Sequence, residues 1–246
     1  MRGNLLIVDD EINILKALRR QLSSLQNDNY HIYTVQSGAE ALELLQTERI
    51  HVIISDQRMP NMTGTQLLVQ TKILYPQTIR IILSGYTDFN SVQDAINQGH
   101  IYKFLNKPWK THELLQHIQD AFAYYDIHME QLQAKQVVMN AIEAIAITDN
   151  KHIVQSVNTA FCLSTELSTL EVVGIDIDIF DKESTSEEEI NDIYQCITNQ
   201  GVWQGELLFR KKSGKKYSVF LSISAIRDDS ETIARYVYSF IEHTIF

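Results

Sequence analysis

The sequence predicts two domains of different class joined by one long helix: an α/β domain with a doubly wound, five-stranded parallel sheet, then an α+β domain built on an antiparallel sheet. Three observations carry this. In the first half, short β-branched apolar runs such as Val52-Ile53-Ile54 alternate with amphipathic helical stretches, as strands covered on both faces do. From Leu115 to Met139 a set of mostly apolar positions recurs at alternating spacings of three and four without a break. Beyond Met139, strand-like runs dominate, and the last three lie close together, joined by turn signals at Ser213-Gly214 and Arg227-Asp228-Asp229. At 246 residues the chain has room for two ordinary domains.

In order, the run Leu5-Leu6-Ile7-Val8 is the first strand and ends on Asp9-Asp10; a helix carrying Ile12, Leu15, Leu18, Arg19 and Leu22 follows. Tyr30 to Val35 is the second strand, Ala39 to Thr47 the second helix, and the third strand begins at His51-Val52 and stops at Ser55-Asp56. Met59-Pro60 then forces the chain out of regular structure. Gly64 to Leu74 reads as the third helix, Thr78 to Leu83 as the fourth strand ending on Ser84, Asp88 to Asn97 as the fourth helix stopped by Gly99, and Ile101 to Leu105 as the fifth strand, ending on Lys107-Pro108.

A further helix starts near Thr111, a candidate cap, and continues past the point where the first domain would close. Along it Leu115, Ile118, Phe122, Tyr125, Met129, Leu132, Gln136 and Met139 form a two-stranded coiled-coil seam with one polar position at Gln136. A single helix lying on its own domain would give the same stripe. After it, Ile142 to Thr148, Ile153 to Val157, Trp203 to Arg210, Lys216 to Ile226 and Thr232 to His243 read as strands. Ser186 caps a helix to Asn199 with Ile190, Ile193, Tyr194 and Ile197 facing inward.

Open α/β sheets bind ligands at the carboxyl ends of their strands. Asp9, Asp10, Asp56, Ser84 and Lys107 all fall there, so three carboxylates, a hydroxyl and an ammonium converge on one edge. Packed acids raise one another's pKa unless a cation sits among them, and a partly open all-oxygen cluster suits Mg²⁺. The expected chemistry is metal-assisted phosphoryl transfer to an aspartate. Taken singly, each residue has a plainer reading: Asp10 or Glu11 as a helix cap, Ser84 as a turn residue, Lys107 as a solvated charge, Phe104 as core. Their joint order and strand-end placement favour the site.

Asp9-Asp10, Asp56, Ser84 and Lys107-Pro108, in this order and at these separations, resemble the receiver domain of two-component response regulators, over residues 1–125. The resemblance implies a flavodoxin-like strand order and a phosphoryl group taken by Asp56 from a histidine kinase or phosphotransfer protein. It implies Mg²⁺ held by Asp10 directly, by Asp9 mainly through water, by Asp56 and by the backbone carbonyl of Arg58. Lys107 would offset phosphoryl charge. Ser84 would bond a phosphoryl oxygen and Phe104 would turn inward, changing the face of the fourth helix and fifth strand. Phe104 stands where the family often has tyrosine, so an outward hydroxyl contact is absent. Lys107-Pro108 is a candidate cis peptide, and Arg58 and Tyr86 flank the acceptor, where they set water's access to the acyl phosphate.

Residues 141–246 resemble a PAS sensor domain, on Ala146-Ile147-Thr148-Asp149, Ser156 to Phe161, Trp203-Gln204-Gly205-Glu206, the Lys212-Ser213-Gly214 turn and Phe240 to Thr244. The helix over 111–140 would then be a signalling connector and a homodimer seam. A PAS ligand is not specified. Cys162 and Cys196 lie outside a flavin-reactive motif, the helix from Ser186 to Asn199 offers no axial histidine for haem, and His152 and His243 read as surface or turn residues. Trp203 could stack on a flavin, but a buried strand-end tryptophan is simpler, and an empty pocket is the expectation.

The formal net charge of −10 argues against a nucleic-acid surface. The one dense basic cluster, Arg210 to Lys216, reads as a hairpin turn. There is no signal-peptide pattern at Met1 and no apolar run long enough for a bilayer, so a cytoplasmic protein without membrane contact is expected. Two cysteines without metal-ligand spacing read as reduced. A haloacid-dehalogenase-type phosphatase needs a second acid two residues after the nucleophile, where Arg58 stands, and no glycine-rich nucleotide loop, kinase core or helix-turn-helix is present. The chain therefore reads as a non-enzymatic response regulator: receiver, helical linker, PAS module. The alternatives are a constitutive dimeric PAS scaffold or ligand sensor with a vestigial phosphosite, or the regulatory part of a longer protein with an enzymatic output domain.

Overall fold

The computed structural model describes residues 3–23, 25, 30–85, 101–177 and 185–243. They form two compact units, 1–131 and 132–246, whose boundary falls inside one helix.

The first unit is a parallel sheet in the order β2-β1-β3-β4-β5, built from β1 (Gly3–Val8), β2 (Tyr30–Val35), β3 (Val52–Asp56), β4 (Ile79–Ser84) and β5 (Lys103–Asn106). Side chains alternate between faces along each strand. Leu5, Ile7, Val52, Ile54, Ile81 and Leu83 therefore pack in one core with α1 (Ile12–Gln21) and the start of the connector helix α4 (Thr111–Met139). Leu6, Val8, Ile53 and Ile82 pack in the other with α2 (Gly38–Thr47) and α3 (Gly64–Leu74). This is the doubly wound sheet with the flavodoxin-like order. The fifth strand is shorter and later than its apolar run suggests, Ile101 joining the core ahead of it. The expected helix over Asp88–Asn97, with Tyr86, lies outside the described residues.

The connector is a helix of 29 residues, as the spacing predicts, but its stripe is divided. Leu114, Ile118, Ala121, Phe122 and Tyr125 are buried in the first unit's own core, with Leu115 and Met129 packed against it. Ile118, Phe122 and Tyr125 are thus not free for a second helix, and of the expected coiled-coil seam only Leu132, Gln136 and Met139 lie outside this core. Thr111 is the first helical residue, and the Lys110 carbonyl takes the Leu114 N–H. The root of the helix sits on His51, whose ring meets Tyr125 at 4.7 Å, while Arg49 donates to the Tyr125 hydroxyl at 2.9 Å.

The second unit is an antiparallel sheet in the order β7-β6-β10-β9-β8, from β6 (Ala144–Asp149), β7 (Val154–Val157), β8 (Val202–Arg210), β9 (Lys216–Arg227) and β10 (Ile233–His243). Its inner face packs on α5 (Thr159–Thr165), α6 (Thr169–Val172) and α7 (Glu187–Gln200) around Phe161, Ile193, Ile197, Leu221 and Tyr238. The capping box of Ser186 with Glu189 starts α7, and Gly201, at φ 82°, ends it. Trp203 packs against this core. His152 departs from its surface reading: it sits in a turn at φ 65°, but its ring lies 4.2 Å from Tyr194 and 4.4 Å from Tyr236 and its Nδ1 pairs with the Tyr238 hydroxyl at 2.8 Å.

Asn158, 1% exposed, is the polar centre of this unit. Its Oδ1 accepts the Ile145 and Phe161 N–H groups, both at 2.9 Å, and its Nδ2 donates to the carbonyls of Val138 (3.1 Å) and Glu143 (2.8 Å). Asn158→Ala leaves these groups buried without a partner, and a loss of about 2–4 kcal/mol in the urea unfolding of this unit is expected. An unchanged midpoint would show that water replaces the amide.

His51 makes a second, pH-dependent contribution. Its Nδ1 accepts the Asn4 N–H at 2.9 Å, which requires that nitrogen to be unprotonated. Burial lowers its pKa below 6.5, with Arg49 adding to the shift and Asp126 opposing it. Because the folded value lies below the unfolded one, the stability His51 contributes is present above pH 6.5 and is lost as pH falls through the folded value. In denaturant titrations, stability should fall more steeply from pH 6.5 to about pH 5 than in His51→Gln, which keeps an acceptor; parallel slopes would count against it.

Candidate functional site

The carboxyl ends of the parallel strands share one edge, and side chains on three of them meet there. Asp56 is the last residue of β3, 7% exposed, and Asp9 directly follows β1, 1% exposed. β1 and β3 are hydrogen-bonded neighbours, so these two carboxylates are brought side by side. Lys107, just after β5, bridges them: Nζ lies 2.6 Å from Asp56 Oδ1 and 3.1 Å from Asp9 Oδ2. The Lys107-Pro108 peptide is cis. The remaining oxygens are also held, Asp56 Oδ2 by the Arg58 N–H at 3.1 Å and Asp9 Oδ1 by the Glu11 N–H at 2.9 Å.

Burial raises the Asp9 pKa, and the Glu11 N–H and Lys107 only partly oppose it. Burial works to lower that of Lys107, but its hydrogen bond and charge pairing with Asp56, then Asp9, outweigh burial and raise it. Lys107 therefore remains an ammonium throughout the neutral range.

Ser84 closes β4 at 1% exposure, with its hydroxyl donating to the Gly85 carbonyl at 3.3 Å. Phe104 is half-buried on β5, packed against the core shared by α2 and α3. Asp10 is half-exposed, and its main-chain carbonyl accepts from Gln36. Among the described residues no three His, Cys, Asp or Glu side chains gather into a metal cage. Mg²⁺ is commonly bound by one or two carboxylates with water completing its shell. Two buried carboxylates that already share a cation fit that pattern.

Sequence reasoning passed over Gly64. A Cβ there would stand 2.1 Å from the Asp56 carbonyl oxygen, so the start of α3 lies directly on the main chain of Asp56. A glycine opening a helix carries no such message in sequence alone.

Residues 5–119 match the family model described as the response regulator receiver domain, and residues 142–244 match a PAS domain model. The hydrogenase transcriptional regulatory protein HoxA of Bradyrhizobium diazoefficiens is 32% identical over 130 residues, 53% of this chain and 26% of HoxA. The DNA-binding transcriptional regulator NtrC of Escherichia coli is 33% identical over 139 residues, 56% of this chain and 28% of NtrC. The chain spans about a quarter of the length of these curated relatives. A solved structure described as adenylate cyclase from Rhodopirellula baltica superposes with a TM-score of 0.52 at 28% identity, covering 55% of this chain and 98% of that one. Among the described residues no helix is long and apolar enough to cross a membrane.

Lys107→Met leaves Asp9 and Asp56 facing each other without their shared cation. A loss of about 2–3 kcal/mol at neutral pH is expected, below the full cost of breaking a buried pair because the lysine is partly exposed. The loss should shrink as pH falls and the carboxylates protonate. A pH-independent loss in denaturant titrations would mean that the lysine acts by packing alone.

Proposed function

Residues 5–119 are a response regulator receiver domain and residues 142–244 a PAS domain, and from this premise we propose that the chain is a phosphorylation-driven switch of a two-component system. The bridge of Lys107 between Asp9 and Asp56 carries the reading, because it places a lasting positive charge on the carboxylate that would accept the phosphoryl group.

An Asp56 oxygen attacks phosphorus as the bond to a donor imidazole nitrogen breaks, in line, giving an acyl phosphate and a neutral imidazole on the kinase. Asp56 is already oriented by the Arg58 N–H. Lys107 exchanges a carboxylate contact for a phosphoryl oxygen and so needs no reorganisation of charge. Mg²⁺, held by Asp9, Asp10, Asp56 and the Arg58 carbonyl, would supply further neutralisation of the phosphoryl oxygens. Ser84 donates its hydroxyl to one of those oxygens, and Phe104 repacks in response, altering the face beside β5. The chain is a regulator and not an enzyme with a turnover substrate.

The output runs through the connector helix to the PAS module, and a homodimer forms along Leu132 to Met139 together with that module. Ile127 and Val137, 56% and 72% exposed, offer apolar surface on the same helix. The net charge of −10 favours protein partners for these two domains in the cytoplasm. A transcriptional output is the second reading, favoured by the names of the relatives HoxA and NtrC; it would reside in a part of a longer protein that these two domains regulate.

Intact mass after incubation with Mg²⁺ and acetyl phosphate tests the switch. One phosphoryl adduct is expected, absent in Asp56→Asn, with a change in sedimentation on phosphorylation. An adduct retained in Asp56→Asn would move the acceptor elsewhere, and no adduct in the unaltered chain would favour the constitutive scaffold.

A further inference from the structure

The start of α3 is tied to the acceptor strand through a residue that phosphoryl transfer itself does not use. Gln57 is 6% exposed, and its N–H, its carbonyl and its side-chain Oε1 are all hydrogen-bonded. Its N–H donates to the Leu83 carbonyl at 2.9 Å and its carbonyl accepts the Gly64 N–H at 3.0 Å. Its side-chain Oε1 accepts twice from Thr65, from the N–H at 3.1 Å and the hydroxyl at 2.7 Å.

The first N–H groups of a helix have no partner within it. In α3 those of Gly64 and Thr65 both end on Gln57, and that of Gln66 ends on the Thr63 hydroxyl at 3.3 Å. The loop from Gln57 to Thr65 is therefore closed at both ends by one side chain and one peptide. Inside it lies Arg58, whose N–H holds Asp56 Oδ2. The Asp56 carbonyl, which takes the Ser55 hydroxyl at 2.9 Å, lies against Gly64.

We propose that Gln57 and Thr65 form a positioning pair for the acceptor: the clamp holds the Arg58 main chain in register with the Asp56 carboxylate. This deepens the proposed function and rests on it. Neither residue touches the phosphoryl group. Both act through Arg58, whose N–H orients one Asp56 oxygen and whose carbonyl is a candidate Mg²⁺ ligand. A clamp that only stabilised α3 would affect unfolding and leave the chemistry alone.

The full-length chain distinguishes the two. Gln57→Leu removes the acceptor at similar volume, Thr65→Val removes the hydroxyl but keeps the N–H, and Thr65→Ser keeps both donors. For each, three quantities are read: the thermal midpoint without metal, the affinity for Mg²⁺ by calorimetry, and the rate of adduct formation with acetyl phosphate by intact mass. Gln57→Leu should slow adduct formation about tenfold or more, the scale of a small misplacement of reacting groups, and should weaken Mg²⁺ binding. Thr65→Val should fall between, and Thr65→Ser should restore both. If Gln57→Leu does not fold, the Thr65→Val and Thr65→Ser pair decides by the same readouts. Lowered midpoints with Mg²⁺ affinity and rate unchanged would overturn the proposal while leaving the phosphoacceptor reading intact. A wild-type chain that takes up neither Mg²⁺ nor a phosphoryl group would remove both.

Discussion

Two carboxylates side by side in a buried site repel each other, and the receiver's active edge depends on the ammonium that lets them coexist. Asp9 and Asp56 are adjacent because β1 and β3 pair in parallel register, with Val8 opposite Ser55. Lys107 arrives from β5, two strand spacings from β3 or about 10 Å across the sheet, so only a long side chain bridges the gap. The intervening strand ends on Ser84, a small residue, where a bulky one would occupy the same edge. The strand order and the residue sizes at these ends serve one electrostatic arrangement. Burial that raises the Asp9 pKa is tolerated because the ammonium and two N–H groups share the carboxylate oxygens.

The opposite edge of the same sheet fixes the connector helix. Phe122 and Tyr125 are core residues of the receiver; both meet His51, and Tyr125 also meets Arg49, in the segment just before β3. β3 thus ends on Asp56, and the residue just before its other end, His51, touches the connector helix.

The parallel sheet is legible in the sequence because its strands are apolar on both faces and stop on polar residues, which puts Asp9, Asp56, Ser84 and Lys107 on one edge. The seam was legible as a helix but not as an interface. Spacings of three and four fit a helix packed on its own sheet as well as they fit a partner helix, and Ile118, Phe122 and Tyr125 belong to the former. Gln57 and Asn158 carry no periodic signal, since their importance comes from backbone groups that happen to converge on them. His152 stands in a turn, one of its two readings, but a polar residue there ordinarily faces water, whereas here Tyr194, Tyr236 and Tyr238 supply ring contacts and a hydroxyl partner.

The far end of the connector is held differently from its root. Near Tyr125 the helix is gripped by close apolar packing and by the Arg49 bond to the Tyr125 hydroxyl. At Val138, its last-turn carbonyl is bound by the Asn158 amide, which also holds the Ile145 N–H at the opening of β6 and the Phe161 N–H in the first turn of α5. Hydrogen bonds to one buried amide have narrow geometry, so a rotation of the last turn cannot be absorbed locally. It must either move β6 and α5 together or break the set. The tip of the helix is thus built into the hydrogen-bonded frame of the PAS sheet, and its last turn cannot shift without that frame.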